Sequence, residues 1–190
     1  MIYFIDDFLP QYILDETIKD LSSQDYEEIK YPTKSFYVQR PTQPFLKYVV
    51  ESLEALENNK IEPILGFFRV SNDLLDTEWR IHSDLNIDGQ KPDRALVLYI
   101  SPREVNDLHG TALWRHKVYG RCLPKNTTNE EYDRMINNES ENLDMWTLDS
   151  IIGYNQNRAI SYPAHYFHSK YPNKSWKKGR EVFVMFYKTK

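Results

Sequence analysis

Apolar residues recur at helical spacing in the first third of the chain. Pro10 favours the first turn of a helix, and the apolar positions that follow it are Ile13, Leu14, Ile18 and Leu21. Residues 43–58 carry a second apolar stripe of the same period, formed by Phe45, Val49, Leu53 and Leu56. The pattern therefore predicts two amphipathic helices, with short strands at residues 2–5 and 36–38.

From Pro63 onwards, the pattern changes to short extended segments separated by turn residues. Strands are predicted at residues 64–70, 79–85, 94–100, 111–119, 150–154, 158–162, 166–168 and 181–187. The polar segment 125–138 interrupts them and favours a helix that begins near Thr128, with Glu130 and Glu131 in its first turn. Two helices followed by about eight strands predict a mainly β, α+β fold in which N-terminal helices brace a jelly roll.

The length of 190 residues predicts a single domain over residues 1–190. We expect residues 1–60 to supply the N-terminal strand and supporting helices, and residues 61–190 to form the jelly-roll core. An insertion at residues 122–145 divides this core, and its polar composition fits either a lid or a solvated surface excursion.

Charge and cysteine content exclude several classes of protein. The chain has 24 basic and 28 acidic residues, a balance that gives no electrostatic basis for general nucleic-acid binding. Cys122 is the only cysteine, so neither a disulfide framework nor a thiolate zinc cluster can form within one chain. We see no signal-peptide pattern and no apolar run near the ~20 residues that span a membrane. We therefore expect a cytoplasmic protein without membrane partners.

His82 and Asp84 are the strongest candidates for a functional site. They lie two residues apart on a predicted strand, so their side chains are expected on the same face of the sheet. Imidazole and carboxylate together suit a borderline divalent metal such as iron. A second imidazole from a distant strand would complete two histidines and one carboxylate on one face of the metal. Such a set leaves the opposite face open, as an Fe(II) oxygenase requires.

His168 is the favoured third ligand because it ends an apolar, extended segment far from Asp84 in the sequence. His165 is its rival, although it follows a proline and an alanine and is expected at the entry to the strand. His109 lies beside a glycine in a predicted turn. His116 lies within a predicted strand, where a packed, hydrogen-bonded histidine is favoured over a place in the pocket.

Arg180 is the candidate for binding an anion beside the metal. It follows Gly179 at the start of the last predicted strand, a short distance after His168. A tight connection through residues 172–173 and 177–179 would make these two strands antiparallel and bring the guanidinium near the pocket. A guanidinium matches the geometry of a carboxylate and stays charged when it is partly buried.

The order of these motifs resembles the 2-oxoglutarate- and Fe(II)-dependent oxygenases, in particular their prolyl 4-hydroxylase-like branch. The segments that carry the resemblance are Tyr3–Pro10, Trp79–Asp84, Ala95–Ile100, His109–Leu113, Asn157–Pro163 with the later His168, and Gly179-Arg180. Together these segments are spread over most of the chain. Gly110 is a single glycine where the turn of the family usually has a pair.

The resemblance implies a double-stranded β-helix, which is another name for the jelly roll. It implies that His82, Asp84 and His168 hold Fe(II) and that Arg180, with Tyr99 or Thr111, holds the far carboxylate of 2-oxoglutarate. It thereby makes His82, Asp84, His168 and Arg180 the candidate catalytic set. O2 is the implied co-reactant, succinate the implied product of 2-oxoglutarate, and ascorbate a candidate auxiliary reductant. An aspartate at position 84, where related halogenases carry a small residue, favours hydroxylation.

Analogy with the family favours a peptide or protein side chain, such as proline, as the substrate. A free amino acid, another small metabolite and a nucleobase are the alternatives. Two other classes of protein share the predicted features: a jelly-roll module that binds a metal or ligand without turnover, and a zinc hydrolase with the same ligands. The intact set of His, Asp, His and Arg argues against the first. The lack of an H-E-x-x-H signature argues against the second.

Overall fold

The structure, a computed structural model, describes residues 1–31, 34–72, 74–76, 79–102, 109–124, 126–172 and 179–190. Its helices are α1 (Gln11–Ser23), α2 (Gln43–Glu57), α3 (Asn129–Glu139) and a short 3-10 helix at Leu143–Met145. Its strands are β1 (Tyr3–Ile5), β2 (Glu27–Tyr31), β3 (Lys34–Gln39), β4 (Ile61–Ser71), β5 (Arg94–Tyr99), β6 (Gly110–His116), β7 (Trp146–Gly153), β8 (Ala159–Pro163), β9 (His168–Tyr171) and β10 (Arg180–Thr189). No helix of the described residues is long and apolar enough to cross a membrane.

The described strands form two antiparallel sheets. The larger sheet has the order β1-β8-β5-β10-β4-β3-β2, and the smaller sheet has the order β7-β6-β9. Residues of β4, β5 and β10 from the larger sheet and of β6 and β9 from the smaller sheet line one cavity. This arrangement confirms the prediction of a mainly β jelly roll with N-terminal helices.

The two faces of the larger sheet are buried against different partners because side chains alternate along each strand. One face packs against α1 and α2, which contribute Leu14, Leu21, Phe45, Val49 and Leu53 to an apolar core with Leu96, Leu98, Phe183 and Met185. The other face carries Val97, Tyr99, Tyr162, Val182 and Phe186 towards the cavity side. The helices therefore brace the sheet from outside and leave its inner face for the site.

The helix α3 lies in the predicted insertion and is fixed at both ends. Its first turn has a capping box, in which the Thr128 hydroxyl accepts from the Glu131 N–H and the Glu131 carboxylate accepts from the Thr128 N–H. Its buried residues Met135 and Ile136 pack with Ile81 in a core shared with the smaller sheet. A helix that begins near Thr128 is thus confirmed.

Several predicted strands differ from those observed. Residues 79–85 form no regular strand, since His82 alone makes a bridge there. Strand β6 ends at His116 because residues 117–119 form a turn, and β7 begins at Trp146, four residues before the predicted start. The polar strand β2 pairs with β3 in a hairpin that the apolar pattern did not indicate.

The strands that carry His168 and Arg180 lie in different sheets, and Arg180 lies in the cavity of the candidate ligands as expected. His168 begins β9 in the smaller sheet, whereas Arg180 begins β10, which pairs with β4 and β5 in the larger sheet. Part of the proposed tight connection, residues 173–178, lies outside the described residues. The two side chains reach one cavity from opposite sheets, which a local pattern of apolar residues cannot reveal.

Candidate metal centre

A backbone bridge joins the two histidines from distant parts of the sequence. The His82 N–H donates to the His168 carbonyl at 3.0 Å, and the His168 N–H donates to the His82 carbonyl at 2.8 Å. Two residues later, the Asp84 N–H donates to the Ala164 carbonyl at 2.8 Å. These bonds fix the His82–Asp84 segment against the start of β9.

The side chains of His82, Asp84 and His168 form a compact group of possible metal ligands. One ligand atom from each residue lies within 4.8 Å of the other two. The distance is 3.4 Å between His168 Nε2 and Asp84 Oδ2, and 3.9 Å between His82 Nε2 and Asp84 Oδ1. A single divalent ion between these atoms needs only small side-chain adjustments, because metal–ligand bonds are about 2.0–2.2 Å long.

Backbone carbonyls determine which imidazole nitrogens are free to bind a metal. His82 Nδ1 lies 3.2 Å from the Arg80 carbonyl, and His168 Nδ1 lies 2.9 Å from the Tyr166 carbonyl. A carbonyl only accepts hydrogen bonds, so each Nδ1 carries the proton and each neutral ring keeps its lone pair on Nε2. Both Nε2 atoms are those that lie near Asp84. This outer hydrogen bonding is typical of histidines that bind metals.

Burial controls the protonation of the ligands. Burial is the main cause that holds the pKa of His82 well below its usual range, and the charge of Arg80 lowers this pKa further. Burial also raises the pKa of Asp84, and the nearby charge of Arg69 opposes that rise. A neutral His82 is the form that coordinates a metal, so burial disfavours the competing proton at this residue.

Arg180 lies in the same cavity, beside Thr111 and Tyr99. Its Nη2 donates to Thr111 Oγ1 at 3.4 Å, and its guanidinium carbon lies 5.4 Å from the centre of the Tyr99 ring. The hydroxyls of Tyr99 and Thr111 are 2.8 Å apart. Burial raises the pKa of Tyr99, which keeps its phenol neutral, and it lowers the pKa of Arg180. The guanidinium nevertheless stays charged, because the ordinary pKa of arginine lies far above neutrality.

The cavity has a volume of about 140 Å³ and combines basic with aromatic walls. Besides Arg180, its basic lining residues are Arg69, Arg80 and Lys170. Its aromatic lining residues are Phe36, Phe67, Trp79, Tyr162 and Phe186. Arg69 forms a two-point ion pair with the buried Asp76, which fixes its guanidinium at the wall. The cavity is thus suited to an anionic group near Arg180.

The remaining candidate histidines lie outside the cluster. His165 is exposed and packs edge-on against the ring of Tyr166. His116 is buried, and its Nε2 lies 2.6 Å from a carboxylate oxygen of Glu139, as expected of a packed, hydrogen-bonded histidine. His109 precedes β6, where its carbonyl accepts from the Tyr154 N–H. Of the two rivals for the third position, the structure therefore brings His168 to the other ligands.

No family model matches this sequence, and no curated protein matches it. Solved structures do match. HygX from Streptomyces hygroscopicus, with nickel, 2-oxoglutarate and hygromycin B bound, is 10% identical at a TM-score of 0.61, covering 98% of this chain and 82% of HygX. The alpha ketoglutarate dependent epimerase SnoN from nogalamycin biosynthesis is 10% identical at a TM-score of 0.64, covering 98% of this chain and 78% of SnoN. A Pseudomonas putida prolyl-4-hydroxylase is 9% identical at a TM-score of 0.58, and the match covers 100% of this chain and 92% of the hydroxylase.

This chain has the fold of the 2-oxoglutarate- and Fe(II)-dependent oxygenases. The resemblance found in the sequence is thereby confirmed for the fold. The expected cofactors, iron and 2-oxoglutarate, are also the groups bound to the matching structures: HygX has been solved with iron, and SnoN with Fe³⁺ and alpha ketoglutarate.

The residues within this oxygenase fold fit those two groups. Two imidazoles and one carboxylate are a suitable donor set for Fe(II), and all three side chains line the cavity. Arg180 and Thr111 would provide donors for the far carboxylate of 2-oxoglutarate, and the Tyr99 hydroxyl is hydrogen-bonded to Thr111 beside them.

Sequence reasoning missed two residues at this site. Arg69 lies near the C-terminal end of β4, where the apolar pattern identified only a strand. Tyr132 of α3 makes hydrogen bonds to Ser83, the residue between two of the ligands. The alternation of side chains along β4 could have indicated that Arg69 faces the inner side of the sheet. The contact of Tyr132 has no signal in the local sequence.

Proposed function

We propose that this protein is a 2-oxoglutarate- and Fe(II)-dependent dioxygenase that hydroxylates a C–H bond of its substrate. The observation that carries the proposal is the convergence of His82, Asp84 and His168 in a cavity that Arg180 also lines. Two histidines and one carboxylate are the donor pattern of Fe(II) oxygenases with open coordination positions. A buried guanidinium beside that pattern suits a dicarboxylate cosubstrate.

The residues of the chain hold and orient the reactants. When bound, iron and 2-oxoglutarate supply the oxidising chemistry, in which O2 gives one oxygen atom to succinate and the other to the product, with release of CO2. His82, Asp84 and His168 bind the metal on one side. Arg180 binds the far carboxylate of the cosubstrate and fixes its orientation relative to the metal.

A peptide side chain such as proline is the substrate class that we favour. The match to a prolyl-4-hydroxylase along almost the whole length of both chains supports this choice by analogy of fold. Aromatic residues at the cavity wall, including Phe36 and Trp79, offer flat surfaces on which a pyrrolidine ring can pack.

A small metabolite is the second candidate, and a specific observation supports it. HygX is described with hygromycin B bound, and SnoN with nogalamycin RO, so two matching folds hold small molecules rather than peptides. SnoN is an epimerase, which makes epimerisation a distinct outcome to test.

Aerobic incubation with Fe(II) and 2-oxoglutarate tests the proposal. We expect slow release of succinate without substrate and faster release with a proline-containing peptide, measured by chromatography. The product should gain the mass of one oxygen atom, whereas an epimerised product would keep the mass of the substrate. Acceleration by small polyhydroxylated molecules alone would support the second candidate.

Three variants sharpen this test. His82→Ala and Asp84→Ala should abolish iron-dependent turnover while leaving the fold largely intact. His165→Ala is the matched control, because this exposed histidine lies outside the ligand group, and it should keep the rate of the wild type. Global unfolding of the first two variants would instead mean that the pair is structural. If the wild type neither releases succinate nor binds 2-oxoglutarate, the non-catalytic module is the better description.

A further inference from the structure

Among the described residues, the ligand segment 81–84 has a bridging partner on one side only, at His168. Its even-numbered residues, His82 and Asp84, donate their N–H groups to carbonyls of His168 and Ala164. The N–H groups of Ile81 and Ser83 face the other way, as alternation requires. Since no strand lies there among the described residues, these groups need partners from elsewhere in the fold.

The helix α3 and its C-terminal end supply those partners. The Ile81 N–H donates to the carbonyl of Ser140 at 3.2 Å. The Ser83 N–H donates to the hydroxyl of Tyr132 at 3.1 Å, and the same hydroxyl donates to the Ser83 carbonyl at 2.6 Å. One phenol therefore pairs with both backbone groups of the residue that separates His82 from Asp84.

The helix is attached firmly enough to act as a support. Apart from its capping box, its C-terminal end is held by Glu139, whose carboxylate lies 2.6 Å from His116 and whose carbonyl accepts from the Trp146 indole at 2.7 Å. Met135 and Ile136 are buried in the same core as Ile81. Movement of α3 would therefore disturb both this core and the ligand segment.

We propose that Tyr132 is a positioning residue for the metal centre and that α3 is a fixed support for the ligand segment. By pairing with both the N–H and the carbonyl of Ser83, the Tyr132 hydroxyl sets the rotation of the backbone between the two ligands. The directions in which the His82 and Asp84 side chains point depend on that rotation. This inference rests on the proposed metal site and adds a residue to it.

Removal of the hydroxyl alone is the appropriate perturbation. Tyr132→Phe keeps the ring that packs against the core around Ile81, but leaves the Ser83 backbone groups without their partner. Loss of groups that orient metal ligands typically costs 10–100-fold in metal affinity. We expect a loss in this range for Co(II), which resists oxidation and reports its coordination through its visible absorption spectrum.

Thr128→Ala is the matched control on the same helix. It removes the capping box, which weakens α3, but it leaves the bonds between Tyr132 and Ser83 in place. Both variants should unfold at lower temperature than the wild type. Only Tyr132→Phe should weaken Co(II) binding and alter the spectrum of bound Co(II).

Co(II) titration of the wild type and of both variants, followed by visible absorption, decides between the outcomes. Weakened binding and a changed spectrum in Tyr132→Phe alone would support the inference. Equal Co(II) affinity and spectra in Tyr132→Phe and the wild type would overturn it, as would equal losses in Thr128→Ala. Failure of the wild type to bind Co(II) would overturn the metal site itself, and this inference with it.

Discussion

Gly110 is a position where a single methyl group should separate two strands of the smaller sheet. A Cβ atom added there would lie 2.1 Å from the carbonyl oxygen of Ile152 and 2.9 Å from its carbonyl carbon, both of them backbone atoms of β7. Contacts below 3.0 Å are essentially never tolerated, so β6 and β7 must part locally by roughly an ångström. Gly110 and Gly153 are register partners, so the clash falls within the paired part of the two strands.

The loss of stability in Gly110→Ala follows from the rigidity of the β7 backbone at Ile152. Overpacking in a well-ordered interior typically costs about 1–3 kcal/mol, and here the obstacle is backbone that cannot rotate away. We therefore expect Gly110→Ala to lower the free energy of unfolding by about 2 kcal/mol, which lowers Tm by ~4–8 °C in a protein of this size. The next residue, Thr111, contacts Arg180, so the affinity for 2-oxoglutarate should fall as well.

Thermal unfolding of Gly110→Ala, with Gly153→Ala as the control, checks this prediction. A Cβ atom at Gly153 would meet nothing within 4 Å, so this variant should stay within about 0.5 kcal/mol of the wild type. Equal Tm values for Gly110→Ala and the wild type would refute the reasoning. So would a loss of similar size in Gly153→Ala.

Three further predictions concern charged side chains. Arg180→Met should weaken 2-oxoglutarate binding by about 3 kcal/mol, or roughly a hundredfold, because charge-assisted hydrogen bonds to the far carboxylate are lost. Unchanged affinity in calorimetry would mean that another basic residue binds the carboxylate. Asp6 pairs with Arg158 at 2.7 and 2.9 Å, and these hydrogen bonds lower the pKa of Asp6 from 3.8 to about 2. The stabilising contribution of this pair is therefore complete above about pH 4 and is lost as pH falls towards 2. Urea unfolding should therefore show that the difference in stability between the wild type and Asp6→Asn shrinks over that interval, whereas a constant difference would contradict the pairing. Glu57→Ala should lower the free energy of unfolding in urea by about 3 kcal/mol, because it removes the carboxylate that lies 2.6 Å from the buried Arg94. A decrease below about 1 kcal/mol would mean that the other partners of Arg94 are sufficient.

The sequence was sufficient to predict those features that depend on local patterns. Apolar stripes at helical spacing located α1 and α2, and the acidic first turn with Glu130 and Glu131 indicated the start of α3 near Thr128. The i, i+2 spacing of His82 and Asp84 was sufficient to place both side chains on one side, although their segment is not a regular strand and makes a β-bridge only at His82.

Features that depend on which segments meet in space could not be predicted in the same way. The pairing of β10 with β4 and β5, rather than with β9, depends on long-range packing of the larger sheet. The role of α3 beside Ser83 likewise depends on a contact between residues 49 positions apart. Local periodicity describes which face a side chain occupies but not which segment lies opposite it.

Anaerobic calorimetric titration of 2-oxoglutarate, with and without Fe(II), tests the central claim most directly. The arrangement of His82, Asp84, His168 and Arg180 predicts tight binding of 2-oxoglutarate that requires the metal, and that is lost in His82→Ala while His165→Ala behaves as the wild type. Binding of 2-oxoglutarate that is equally tight without Fe(II), or no binding of either group to the wild type, would contradict the account.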